Sequence, residues 1–201
     1  RFWDATEGSV SIGGTDVRNI RKEDLMRQVS FVFQDSRLLK GTILDNVRLG
    51  KPHATEQEVR RVLAEAQCDD IIAKLPMGIH TLIGTDGTYL SGGEQQRIAI
   101  ARVMLQDTPI VILDEATAYA DPDNEARVQT AFNALSVGKT VIMIAHRLSA
   151  VVEADKIYVL KGGQICEQGT HEELTSHDGG LYAQMWREYN QSVNWKLGGT
   201  K

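Results

Sequence analysis

Short apolar runs, separated by longer stretches of helical character, constrain this chain more than anything else in it. The runs are Val29–Phe33, Ile110–Leu113, Val141–Ala145 and Ile157–Leu160. The last three are almost wholly apolar, as strands covered on both faces of a parallel sheet should be. Helical patterns lie between them, at Glu56–Gln67, Ser91–Gln106 and Asn124–Leu135. Strand and helix in alternation predict a doubly wound α/β core. Between about Asp35 and Asp107 helices dominate and strand signal is nearly absent, so this stretch is expected to form an inserted helical lobe. Near the end, Lys156–Leu160, Gly162-Gly163 and Gln164–Glu167 read as a hairpin. A final amphipathic helix carries Leu181, Tyr182, Met185, Trp186 and Tyr189, aromatics best explained by core packing.

Composition narrows the function classes. With 201 residues, 42% hydrophobic and 24% charged, the chain can bury one substantial core, or a core with a lobe. Its net charge of −5 gives no electrostatic footprint for nucleic acid. Cys68 and Cys166 stand apart, with neither redox nor zinc spacing, which suits a reducing environment. No apolar run approaches the ~20 residues that span a bilayer, and no signal peptide is expected. The opening "RFWDATEGSV" reads like the interior of a domain, so an N-terminal truncation is expected.

Three of the apolar runs end in polar residues, and ligands of open α/β sheets bind beyond the carboxyl ends of their strands. Phe31-Val32-Phe33 gives way to Gln34, Ile110–Leu113 to Asp114-Glu115, and Val141–Ala145 to His146. Gln34 alone could be a loop residue, and His146 alone a satisfied strand-end histidine. Asp114-Glu115 is harder to dismiss. Adjacent carboxylates after four branched apolar residues repel each other and lose solvation, and a divalent metal would relieve both. The chemistry that fits is nucleotide hydrolysis. Asp114 would serve Mg²⁺, which takes one or two carboxylates plus phosphate oxygens. Glu115 would orient or deprotonate the attacking water, and His146 and Gln34 would sense the γ-phosphate.

The segment "YLSGGEQQRIAIARVML" poses a separate question. It reads as a helix from Ser91, yet places Gly92 and Gly93 in the first turn, where each glycine costs about 1 kcal/mol against alanine. Ser91 and Glu94 have capping-box spacing, which needs no glycine. Glycine also lets backbone N–H groups approach a ligand, and a helix N-terminus favours anions. Both readings stay open on this segment alone. A phosphate-cradling G-x-x-x-x-G-K-[ST] loop is not found. The nearest match, Gly138-Lys139-Thr140, has Asn133 where the first glycine belongs, and it runs from helix to strand rather than strand to helix.

Taken together, these motifs resemble the nucleotide-binding domain of ABC transporters of the exporter type. "LSGGEQQRIAIAR" is similar to the family's signature, "IVILDEATA" to its Walker B strand, "FVFQD" to its Q-loop and "AHRLS" to its switch-histidine loop. "GTILDNVRLG", "IIAKLPMGIHTLIG" and "EQGTHEEL" fit the same pattern. The resemblance implies an ABC-type α/β ATPase core over residues 1–201 with its N-terminal strands and P-loop missing, and a helical subdomain at about 35–107. It implies ATP and Mg²⁺ as cofactors, Glu115 and His146 as catalytic residues, and Asp114 with Gln34 at the metal. Gln34, Ser91, Gly92, Gly93 and Asp121 would contact nucleotide. Because such domains pair head to tail, the signature would close on phosphate held by a partner domain. The implied partners are that second nucleotide-binding domain and a transmembrane domain at the cytoplasmic face of the membrane, with no nucleic acid.

Two departures stand out. Asp86-Gly87 occurs where exporters commonly show acid–arginine–glycine, and Ala118-Tyr119-Ala120-Asp121 where Ser-Ala-Leu-Asp is usual. The second variant is similar to that of some bacterial exporter-fold transporters linked to iron–siderophore uptake, without assigning a substrate. One rival reading is a soluble ABC-type ATPase acting on nucleic acid or ribosomes. Its coiled coils, zinc modules or second domain are not seen. Another is a catalytically dead regulatory domain, against which Glu115 and His146 both speak.

Overall fold

The computed structural model describes residues 3–33, 37–84, 89–114, 122–145 and 147–198. Its contacts divide it into two compact units, Arg1–Ile144 and Ala145–Lys201. Gln34, Asp35, Asp86, Gly87, Glu115, Tyr119, Asp121 and His146 lie outside the described residues.

The first unit opens with a small hairpin, β1 (Ser11–Ile12) and β2 (Thr15–Asp16), succeeded by helix α1 (Lys22–Met26) and strand β3 (Val29–Val32). A two-residue strand β4 (Gly41–Thr42) runs into α2 (Ile43–Arg48), then come α3 (Glu56–Glu65), α4 (Asp69–Lys74) and β5 (Leu82–Ile83). The long helix α5 (Gly92–Gln106), strand β6 (Ile110–Asp114), helix α6 (Pro122–Ser136) and strand β7 (Thr140–Ile144) complete it. Thr42 and Thr55 start α2 and α3 with the capping boxes that Thr-x-x-Asp and Thr-x-x-Glu permit. Pro122 stands first in α6, where its missing N–H costs nothing.

The sheet is parallel, in the order β3-β6-β7. Each strand therefore carries its carboxyl end to the same edge. A buried hydroxyl pair, Ser30 with Thr108 at 2.7 Å, ties β3 to the chain entering β6. One face of the sheet is dry. Val32, Val111 and Leu113 are fully buried and share a core with Ile98 and Ile100 of α5 and Val128, Phe132 and Leu135 of α6.

The other face departs from the sequence expectation of strands covered on both sides. Phe31, Ile112 and Ile142 lie abreast in the strand register, yet Phe31 is 38% and Ile142 51% exposed, and Ile144 is 49% exposed. Cover here is partial: Leu25 and Met26 of α1, with Val10 and Ile12 at the first hairpin, border a pocket that Val29, Phe31 and Ile112 also line, while β7 alternates exposed and half-buried positions along its length. A second departure lies in the helical stretch. β4 and β5 pair antiparallel there, Gly41 with Ile83 and Thr42 with Leu82, a strand pair too short to leave a periodic signal.

α5 is the axle of the unit. Every residue from Gln96 to Ala101 is buried, and α2, α3, α6 and β3 all pack on the helix. Its crossing with the end of α2 is close enough that a Cβ at Gly50 would overlap the carbonyl oxygen of Arg102 and lie 3.2 Å from the Gln106 nitrogen.

In the second unit, β8 (Ile157–Lys161) and β9 (Gln164–Gly169) form the expected antiparallel hairpin, turning at Gly162-Gly163, so the 157–160 run is not a parallel strand covered on both faces, and Tyr158 and Leu160 are exposed. Helices α7 (His171–Ser176) and α8 (Leu181–Gly198) come next. Glu167 accepts the backbone N–H groups of Leu181 and Tyr182 at 2.6 and 2.9 Å, anchoring the start of α8 on the hairpin. Tyr182 is buried, bonds His171 at 2.8 Å, and packs with Ile157, Val159 and Leu174, so the core-packing reading holds for this aromatic, whereas Trp186 and Tyr189 are half-buried and Met185 is 40% exposed. Trp186 meets the His171 ring edge-on at 4.6 Å.

Two measurements check this description. Gly50→Ala should destabilise the first unit by about 1–3 kcal/mol, the usual range for overpacking, because its neighbours are backbone atoms. An unchanged thermal midpoint would contradict the α2–α5 crossing. The cysteines should also separate cleanly. Cys68 is buried, and burial pushes its thiol up to about 12, so it should resist alkylation at pH 8 until the protein is unfolded. Cys166 is exposed and should react at once, as mass spectrometry of the alkylated native protein would show.

Candidate functional site

The parallel register brings one edge of the sheet together. Val32 pairs with Leu113, Leu113 with Met143, and Asp114 with Ile144, so the ends of β3, β6 and β7 lie side by side. In sequence, Gln34 comes two residues after Val32, Glu115 directly after Asp114 and His146 two after Ile144. Those three residues are themselves outside the described set, as is Asp121. Asp114 is described. It closes β6 half-buried, on the open face beside Ile112, Ile142 and Ile144. Among the described residues its carboxylate takes no hydrogen bond and no ion pair. A half-buried carboxylate with no protein partner fits a hard divalent cation, which prefers oxygen donors and retains sites for phosphate and water. No cluster of three metal-ligating side chains occurs among the described residues, so a cation here would lean on Asp114 and on its other ligands.

The start of α5 answers part of the glycine question. Ser91 is the N-cap, with its hydroxyl 3.3 Å from the Glu94 nitrogen, while Glu94 Oε2 accepts the Ser91 N–H at 2.9 Å. The capping box thus forms in full. It uses the N–H groups of Ser91 and Glu94 and leaves those of Gly92 and Gly93 without a protein acceptor among the described residues. Two free, adjacent N–H groups at a helix start form an anion-seeking turn. Gly93 has a packing reason as well. A Cβ there would lie 3.2 Å from the Cβ and 3.4 Å from the Cγ of Asn124, in the first turn of α6. The glycine lets α5 and α6 touch.

Sequence spacing did not reveal what holds this turn in place. Arg97 is fully buried, one helical turn beyond Gly93. It donates to Asp70 of α4 at 2.7 and 3.2 Å, to the Gln67 carbonyl, and to Asn124 Oδ1 at 3.2 Å. Arg127 of α6 and Lys74 also face Asp70, at 3.5 and 4.0 Å. Burial works to raise the Asp70 carboxyl, and the Arg97 hydrogen bonds and surrounding cations outweigh it, holding it below the usual carboxylate range. Farther along α5, Arg102 donates to the Asn46 carbonyl at 2.9 Å and to its Oδ1 at 3.3 Å. Asn46 in turn binds both the N–H and the carbonyl of Leu39. An arginine in an otherwise apolar helix interior was the one available signal, and helical spacing could not rank it above a solvent-facing arginine.

The family model described as ABC transporter matches residues 1–118. The chain belongs to the ABC transporter family. Among curated ABC proteins it is 47% identical over 186 residues to the mycobactin import ATP-binding/permease protein IrtA of Mycolicibacterium smegmatis, which covers 92% of this chain and 21% of that protein. It is 45% identical to the heavy metal tolerance protein of Schizosaccharomyces pombe, again over 92% of this chain and 22% of the other. The chain therefore spans about a fifth of the length of these relatives. The solved structure of a bacterial Atm1-family ABC exporter with ATP bound superposes with a TM-score of 0.85 at 40% identity, over 94% of this chain and 33% of that one. The ABC ATPase core read from the motifs is thus the fold of this chain. No helix among its described residues is long and apolar enough to cross a membrane.

The contact at Gly93 yields a prediction for this ABC domain. Gly93→Ala should lower the thermal midpoint, because a crowding cost of about 1–3 kcal/mol exceeds the roughly 1 kcal/mol gained in helix propensity. Combined with Asn124→Gly, which removes the opposing Cβ, most of that loss should disappear. Additive losses in the double-mutant cycle would show that the two residues do not touch.

Proposed function

We propose that this chain is the ATP-binding and ATP-hydrolysing part of an ABC membrane transporter. The observation that carries this reading is the Asp114 carboxylate, without a partner among the described residues, at the common carboxyl edge of β3, β6 and β7. ATP in the related exporter structure supports it. In this reading Asp114 and Gln34 hold Mg²⁺, which when bound supplies charge neutralisation at the β- and γ-phosphates. Glu115 orients and deprotonates the attacking water, and His146 contacts the γ-phosphate. Phosphoryl transfer asks mainly for positioning and charge stabilisation, which this set of residues can provide.

The N–H groups of Gly92 and Gly93, without an acceptor among the described residues and with Ser91 beside them, serve phosphate held by a second nucleotide-binding domain in a head-to-tail dimer, with Asp121 assigned to the seam. Ser91 keeps its capping bond while its hydroxyl oxygen lines the same turn. The helical stretch from about 35 to 107 forms the lobe that meets the transmembrane domain. In support, neither described strand of that stretch pairs with the parallel sheet. The domain would work at the cytoplasmic face of the membrane.

Cargo is a different matter. Relatives named for mycobactin import, heavy metal tolerance and lipid A-core flipping lie within 45–47% identity of this chain. Similarity in this domain therefore does not select a substrate.

In the full-length gene product, Glu115→Gln should keep ATP binding and lower turnover about 10²- to 10⁴-fold, the usual contribution of a general base. It should also accumulate as an ATP-held dimer by size-exclusion chromatography. The 201-residue chain alone, with no phosphate-cradling lysine loop in its sequence, should show no magnesium-dependent turnover. Wild-type turnover by Glu115→Gln would remove Glu115 from its assigned role.

A further inference from the structure

Three polar residues that no strand-end motif contains meet inside the first unit. Asp70 of α4, Arg97 of α5 and Asn124 of α6 stand 27 residues apart in each step along the chain, yet one guanidinium bonds both of the others. The Arg97 side chain is wholly buried and the Asp70 side chain 25% exposed. Asn124 meets α5 twice, as acceptor for Arg97 and as the neighbour that Gly93 makes room for. It stands three residues after Asp121 in sequence, in the first turn of α6. Gly93 lies one turn upstream of Arg97 on α5, so the arginine grips the axle just below the anion-seeking turn.

Stability alone is a poor reason for this arrangement. A buried ion pair is commonly matched or bettered by apolar side chains of similar volume. Arg97 Nε is buried and has no hydrogen-bond partner among the described residues, a further cost that a methionine would avoid. What an apolar side chain cannot supply is the planar fork, which fixes three elements in direction as well as distance. Asp70 adds to this by facing Arg127 of α6 as well as Arg97. The carboxylate is thus addressed from both helices at once, so α6 cannot slide along α5 without breaking charge-assisted contacts.

We propose that Arg97 is a positioning residue for ATP turnover: through Asn124 it holds the start of α6 in register with the Ser91–Gly93 turn, and Asp70 is its counter-charge. The proposal rests on the nucleotide-hydrolysis reading above. It makes the relative placement of the starts of α5 and α6 depend on a single guanidinium.

The test uses the full-length gene product in lipid, with thermal midpoint, ATP KM and kcat measured for wild type, Asp70→Leu/Arg97→Met and Asn124→Ala. The paired apolar replacement should recover or exceed the wild-type midpoint, since neither charge is left buried alone. Its kcat should nevertheless stay about 10- to 100-fold low, the scale of loss for a misplaced reacting group, with KM within about twofold. Asn124→Ala removes one acceptor and should lower kcat by about tenfold at a near wild-type midpoint. A paired variant with wild-type midpoint and wild-type kcat would show that Arg97 is only a structural strut. Should the paired variant fail to fold, Asn124→Ala decides alone, and full kcat there overturns the proposal. A wild-type protein without ATP turnover sinks the nucleotide reading along with this one. Wild-type turnover with unaffected variants sinks this one only.

Discussion

A helix buried on nearly every side must find its polar partners inside the protein, and α5 meets that demand with two arginines. Its middle carries Ile98, Ala99, Ile100 and Ala101 into the core, and of the flanking arginines Arg97 is wholly buried and Arg102 half-buried. Arg97 reaches to α4 and α6, and Arg102 reaches back to Asn46 of α2, which in turn holds Leu39. Burial pulls the Arg102 guanidinium below its ordinary value, which makes the Asn46 oxygens the more necessary as acceptors. The two arginines lie five residues apart and hold elements on different sides of one helix. The placement of α2, α4 and α6 is referred to a common axis, and the glycines at 50 and 93 are where neighbours come closest to it.

How much of this could be read from residues alone depended on the period of each signal. The runs at 29–33, 110–113 and 141–145 announced strands because short blocks rich in β-branched and aromatic residues have few other uses, and β3, β6 and β7 occupy them nearly to the residue. Ser91 and Glu94 announced a helix start because capping chemistry is local, and the box is formed. Signals that depend on distant residues were silent. Nothing near Arg97 in sequence points to Asp70 or Asn124, and nothing near Gly93 says that its missing side chain makes room for another helix. The expectation of a sheet covered on both sides also failed for a physical reason. An apolar run reports what a strand tolerates, and Ile142 and Ile144 tolerate cover that the described residues supply only in part.

Membership of the ABC family explains why so short a set of motifs is informative, and the geometry adds what the motifs omit. An awkward pair of adjacent carboxylates suggests Asp114 as a metal ligand. The structure gives it a more specific circumstance, a half-buried strand end with no protein partner among the described residues. Ser91, Gly92 and Gly93 could cap or bind an anion, and the hydrogen bonds show that one turn has capacity for both. The assigned roles of Gln34, Glu115, Asp121 and His146 rest on sequence, and functional measurements decide them.

The open face of the sheet has a thermodynamic consequence for Asp114, which shares it with Ile112, Ile142 and Ile144. Any apolar element that settles on that face expels water from around the carboxylate. With less water, an unneutralised charge becomes more costly and a cation beside it more favourable. Covering the face and binding a cation at its rim are then linked events, each strengthening the other by the same factor. A hydrophobic surface and a hydrophilic ligand, which share no contact, would report on each other through the solvent between them.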